Sequence, residues 1–171
     1  MRSSDLSKSD YNNYYAPYLE ILGDKELKGL LGSQLINFPK FIKSISNDKL
    51  HYSYAEGKWT IAEVLLHVID TERVFQYRAL RFARNDDTPL PGFDQDLFVK
   101  ASNASNWNKE QLINAYQAVR QSTISLFSSF GSIELKKSGI ASNSSMSVAA
   151  LGFICCGHQK HHRNIIRANY L

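Results

Sequence analysis

A chain of 171 residues, 43% hydrophobic and 12% aromatic, is long enough to bury a real core, which excludes a disordered or fibrous protein. Twenty Lys and Arg against sixteen Asp and Glu give a net charge of +4, but the basic residues are scattered along the chain, a solvated-surface pattern that argues against nucleic acid. The longest apolar run, Val148 to Cys156, falls short of the roughly 20 residues of a membrane span, and the polar start MRSSDLSKSD resembles no signal peptide, so a soluble cytoplasmic protein with no membrane partner is expected.

In chain order, residues 1–10 read as a flexible N-terminal tail and 11–171 as a single domain. Tyr11 to Leu22, with Tyr14, Tyr15 and Tyr18, suits a short lead-in helix or strap. Leu27, Leu31, Leu35, Phe38, Ile42 and Ile45 then form one helical stripe, with Asp24 as a plausible N-cap and a kink expected at Pro39. The second helix is predicted from Ile61 to Arg84, opened by Thr60 and Glu63 in capping-box register. Asn108 and Gln111 repeat that register before a third helix, Lys109 to Phe130, whose inward stripe includes Leu112, Tyr116, Val119, Thr123 and Leu126. The fourth begins after Ser147 and runs to about Tyr170. No segment of useful length alternates apolar and polar residues, so no strand is expected.

These elements make an all-α four-helix bundle. The connection from about Asn85 to Trp107 is longer than the about 2–8 residues usual between antiparallel neighbours. A second helix of about 24 residues is roughly 36 Å long, and such a linker can cross the whole bundle. The second and third helices would then run parallel, giving an up-down-down-up arrangement. Cys155 and Cys156, adjacent in an apolar run, read as buried thiols of a reducing compartment.

Five histidines occur, three of them within GHQKHH of the fourth helix. His158 and His162 share a face with Leu151, Cys155 and Ile165, and His67 shares one with Val64, Thr71 and Val74, so all three rings point inward. Buried imidazoles must be satisfied by hydrogen bonds or by a metal, and spacing alone leaves both open. If a metal is present, three nitrogen ligands leave a coordination position for water or substrate, the layout of a catalytic site. His161 lies off that axis, as a rim residue or a support for a ligand. Asp70 either orients an imidazole or pairs with Arg73, and Thr71 lies on the inward stripe. Arg78, roughly 16 Å along the helix from His67, is too distant for a ligand and reads as part of a bundle ion pair. His51 is expected in an exposed loop. Tyr52, Tyr54 and Trp59, with Phe93, Asp94 and Asp96 of PGFDQD, either rim a pocket or pack.

The stretch YAEGKWTIAEVLLHVIDTERVFQYRALRFARND, followed by LPGFDQDLFV and GHQKHHRNIIRANYL, resembles the DinB/YfiT-like superfamily of metalloenzymes. The resemblance implies a DinB-like four-helix bundle with up-down-down-up topology, often a homodimer. It also implies a divalent transition metal, nickel or zinc above all, held by His67, His158 and His162. Relatives that move a low-molecular-weight thiol such as bacillithiol onto an electrophile make thiol S-transfer the leading expectation. Metal-dependent hydrolysis is the alternative, and a non-catalytic, stress-associated metal-binding dimer a third. A metal with an open position can acidify either a thiol or a water, and no residue stands out as a general base.

Overall fold

Caps set where the long helices begin. Thr60 and Glu63 exchange bonds, with Glu63 N–H donating to Thr60 Oγ1 at 3.2 Å and Thr60 N–H to Glu63 Oε2 at 2.7 Å. Asn108 and Gln111 do the same at 2.9 Å each way, and Ser147 Oγ accepts from Ala150 N–H at 3.1 Å. In a computed structural model that describes residues 1–171, these caps open α3 (Ile61–Ala83), α5 (Lys109–Ser128) and α7 (Val148–Asn169). Together with α2 (Leu27–Ser44) they form the four-helix bundle. Short helices α1 (Ala16–Glu20), α4 (Gln95–Ala101) and α6 (Ser132–Lys136) lie between and before them.

The N-cap of α2 is Glu26 and not Asp24. The Asp24 carboxylate instead accepts from Arg2 Nε at 2.8 Å, while Leu27 N–H donates to the Met1 carbonyl at 3.1 Å. The extreme N-terminus thus takes over the capping, and residues 1–10 run as short turns tied to residues 23–27. α2 continues through Pro39, which removes one mid-helix backbone bond without ending the helix.

Two apolar clusters fix the direction of each helix. Leu27 and Leu31 of α2, Phe75 and Phe82 of α3, Phe127 of α5 and Leu151 of α7 lie in one cluster. Phe38 and Ile42, Ile61 and Leu65, Leu112 and Tyr116, and Ile166 lie in the other. So α2 and α7 run from the first cluster to the second, and α3 and α5 run back: up-down-down-up. The parallel pair is joined by the long linker, which carries α4 across the bundle.

Between the clusters a buried polar network fastens all four helices. Arg120 Nε and Nη2 donate to the two Glu72 oxygens at 2.7 Å each, and Nη1 donates to Gln34 Oε1 at 2.7 Å. Thr123 Oγ1 donates to Glu72 at 2.8 Å, and Gln34 Nε2 to the Cys156 carbonyl at 2.9 Å. Satisfied in this way, the buried charges cost little to keep and fix the helix register.

One feature departs from the expectation of no strands. Strands β1 (Ser138–Ala141) and β2 (Ser144–Ser147) pair antiparallel across a two-residue turn. Ser142 and Asn143 both have positive φ, 51° and 59°, as a tight hairpin of this kind demands. The strands are short, Ser-rich and carry one β-branched residue, Ile140, so no alternation marked them. The linker is bound to this hairpin, with Leu90 N–H donating to the Ile140 carbonyl at 2.9 Å and Ser142 N–H to the Leu90 carbonyl at 3.1 Å.

Candidate metal centre

The antiparallel contact of α3 with α7 brings His67 opposite His158 and His162, which stand one turn apart. His67 and His158 are 5% and 6% exposed. Nε2 of His158 lies 3.0 Å from Nε2 of His67 and 3.0 Å from Nε2 of His162, and the three ligand atoms all fall within 4.8 Å of one another. No carboxylate or thiol joins the group. Tyr18 packs edge-on to His158 at 5.6 Å and Trp59 against His67 at 5.0 Å between ring centroids.

Burial governs the charge of these rings. It pushes the His67 pKa down to about 4. Burial and the neighbouring imidazoles His67 and His161 push His162 to about 3, and burial with the other imidazoles holds His158 well below the usual histidine range. All three are neutral at pH 7, each with one lone pair. Three converging Nε2 atoms cannot satisfy one another, because a proton on any one serves a single neighbour at a time. Nδ1 of His162 is buried without a partner, so Nε2 offers that ring its one strong interaction. Two of the separations, 3.0 Å each, suit nitrogens that would share one ion, whereas the remaining pair, up to 4.8 Å apart, exceeds the roughly 4.1 Å that two ligands at about 2.05 Å can span, so a side-chain rotation would have to draw it in. The donor set fits a divalent transition metal of borderline softness.

The other predicted residues are distributed as follows. Thr71 is buried, with Oγ1 3.4 Å from His67 Nδ1. Asp70 bonds Arg73 at 2.7 Å on the solvent side and touches no imidazole. Three residues on from His67 it lies off the inward stripe, and Arg73, one turn further, captures it; of its two readings the surface pair is the one formed. His161 is half-buried, its ring 5.1 Å from both Tyr18 and His162. His51 is exposed. Arg78 forms no ion pair; its Nη2 donates to the Pro91 carbonyl and Ser142 Oγ at 3.0 Å each, because the linker and hairpin reach it where no carboxylate does.

Two pockets open onto the histidines. One, of about 240 Å³, is lined by His67, His158, Thr71, Phe75, Phe93 and Arg78, and also by Tyr14, Tyr15, Tyr18, Gln95 and Ser142. The other, of about 250 Å³, is reached from His162 and lined by Tyr54, Trp59, Asp96 and Tyr170 among others. Tyr54, Trp59, Phe93 and Asp96 thus rim pockets, whereas Tyr52 packs on Tyr170 with centroids 6.4 Å apart, and Asp94 caps α4. The sequence reading missed Phe75, Gln95 and Ser142 as lining residues. Arg78 was legible only as lying near the His67 face, whereas His67, His158 and Thr71 were already marked by the inward stripes.

The cysteines lie elsewhere. Both are free and buried, and burial pushes the Cys156 thiol up to about 12, so neither supplies a nucleophile at neutral pH.

Known proteins extend this picture. The family model described as DinB superfamily matches residues 34–166. A protein of Oceanobacillus iheyensis, named as a candidate metal-dependent hydrolase, is 26% identical over 123 residues, covering 71% of this chain and 70% of its own. Among solved structures, YfiT from Bacillus subtilis, described as a probable metal-dependent hydrolase with an unusual four-helix bundle topology, superposes with a TM-score of 0.74 at 14% identity, covering 82% of each chain.

Proposed function

The chain belongs to the DinB superfamily, and on that premise we propose that it is a metal-dependent hydrolase of a small molecule, with His67, His158 and His162 as the ligands of a divalent transition metal, zinc or nickel. The observation that carries the reading is the convergence of three neutral Nε2 atoms, without a fourth protein ligand, between two small pockets, one lined by His67 and His158 and the other by His162. A metal held there supplies Lewis acidity, which polarises a substrate oxygen and makes water more acidic. The names of the relatives from O. iheyensis and B. subtilis favour hydrolysis.

The chain's own residues prepare the chemistry. Burial keeps the imidazoles deprotonated, so no proton has to leave before a cation is bound. Phe75, Tyr18 and Trp59 pack against the rings and hold their orientation. Thr71 Oγ1 faces Nδ1 of His67 and biases the ring toward offering Nε2 inward. Elemental analysis of protein purified without a metal-affinity tag tests the assignment: about one transition metal per chain is expected, and its loss in the His67→Ala, His158→Ala, His162→Ala triple variant. Hydrolysis of small esters and amides, abolished by chelation and restored by zinc or nickel, tests the activity.

Thiol transfer is a second reading, favoured by one observation. Separate pockets reach the cluster from the His158 side and from the His162 side, an arrangement suited to a thiol and an electrophile arriving independently. Turnover of a bacillithiol-type thiol with an electrophile, but of no ester or amide, would select it. The third reading, a metal-binding protein without turnover, is selected by stoichiometric metal with neither activity. The homodimer and the cytoplasmic setting belong to the same proposal, and sedimentation of the purified protein tests the former.

A further inference from the structure

The buried formal charges of the bundle are Glu72, Arg78 and Arg120. Glu72 and Arg120 neutralise each other, but Arg78, 2% exposed, faces no carboxylate. Its two hydrogen bonds, to the Pro91 carbonyl and to Ser142 Oγ, both leave from Nη2 and both end on neutral groups. They engage one nitrogen, the Tyr15 hydroxyl beside the guanidinium adds a further neutral partner, and the positive charge stays uncompensated. Burial lowers the Arg78 pKa while Tyr15 beside it opposes the shift, yet a guanidinium stays protonated in proteins. A buried, unpaired cation is costly, and such a cost at a pocket wall points to a ligand of opposite charge.

The surroundings are built to hold this side chain. Pro91 comes from the linker and Ser142 from the hairpin turn, where a serine holds φ at 51°, and the two segments are bonded through Leu90. Arg78 lines the same pocket as His67 and His158. Phe75 lies between, 5.8 Å from the guanidinium carbon and 6.4 Å from the His158 ring centroid. The pocket therefore has a cation at one end, neutral metal-binding nitrogens at the other, and an aromatic floor joining them.

We propose that Arg78 is the anion-binding and specificity-determining residue of this pocket, and that the substrate is a small molecule whose carboxylate or other oxyanion pairs with the guanidinium while its reacting group reaches the histidines. This deepens, and rests on, the reading of the histidine cluster as a reaction centre. A planar guanidinium matches an oxyanion through paired N–H donors, and Arg78 has no anionic partner to compete for them, only the neutral Pro91, Ser142 and Tyr15 oxygens.

The test separates the two readings by working on chelator-treated, full-length protein labelled with ¹⁵N. Acetate, inorganic phosphate and neutral acetamide are titrated while the Nε–Hε resonance of Arg78 is followed. A saturable shift with acetate or phosphate and none with acetamide is expected, the tighter anion naming the oxyanion class. Arg78→Gln and Arg78→Lys, which lack that resonance and are followed instead through the backbone amides of pocket residues Thr71, Phe75 and Ser142, should weaken that binding by about ten-fold or more. The wild-type resonance keeps the proposal testable should either variant fail to fold. No saturable shift, an equal shift with acetamide, or unchanged affinity in folded Arg78 variants overturns it. Metal content measured in parallel on untreated protein reports on the histidines alone, so an anion-responsive Arg78 in a protein that takes up no metal would sink the reaction-centre reading and leave the anion site standing.

Discussion

His67, His158 and His162 give up their protons to burial, and this has a thermodynamic consequence in the metal-free protein. Each folded-state pKa is depressed, to about 4 for His67 and about 3 for His162, against about 6.5 in an unfolded chain. Below pH 6.5 the unfolded state therefore binds protons that the folded state refuses. The stability of chelated protein is complete above about pH 6.5 and falls as pH drops toward about 4, by at most about 1.4 kcal/mol per pH unit for each histidine. Chemical denaturation between pH 7 and pH 4.5 should show this loss, and His67→Gln should flatten it. Asp70 provides the contrasting case. Because it pairs with Arg73 at the surface, Asp70→Asn is expected to leave metal content at the wild-type level and to change stability by less than about 0.5 kcal/mol. A drop in metal content would restore Asp70 to the role of orienting an imidazole. Helical spacing assigned the three inward rings correctly, but placed Asp70 on a flank where two partners were within reach, and only the side-chain packing selected Arg73.

Among the elements, α1 and α5 support the α3–α7 pair that carries the histidines. Gly157 of α7 faces the backbone of Tyr18, and a Cβ at 157 would collide with the Tyr18 carbonyl. Gly157→Ala should therefore lift α1 off α7, at a cost of about 1–3 kcal/mol, and hydrogen exchange in residues 14–20 should quicken while the bundle helices stay protected. Unchanged exchange would show that α1 yields without detaching. The Glu72 and Arg120 pair joins α3 to α5 with both charges enclosed, so Glu72→Gln strands a buried guanidinium and should cost about 3–5 kcal/mol. The double change Glu72→Leu, Arg120→Met should cost less than the single one, because no charge is left uncompensated; calorimetry of the three proteins decides. The helices themselves were written in caps and apolar stripes. The hairpin was not, since its turn depends on left-handed Ser142 and Asn143 and its strands on the linker and on Phe82, against which Gly139 packs too closely for any Cβ.

At the scale of the whole molecule, the up-down-down-up path is what sets α3 beside α7 and leaves the linker, the hairpin and α1 to build the pocket around them. No helix is long and apolar enough to cross a membrane. Because a metal bound by the folded chain alone adds stability by mass action, zinc or nickel at about a hundred times its dissociation constant should raise wild-type stability by about 2.7 kcal/mol, with no effect on the triple histidine variant; equal effects on both would place the metal elsewhere. The sequence by itself determined the helical class, the starts of three long helices, the crossing linker and the inward facing of His67, His158 and His162, because caps and 3.6-residue periodicity are local properties of a chain. Only the tertiary structure decided that the three Nε2 atoms meet, that Asp70 turns away and that Arg78 stands uncompensated over the same pocket. Those outcomes depend on distances between residues far apart in sequence, and on the burial that strips charge from the histidines while leaving it on the arginine.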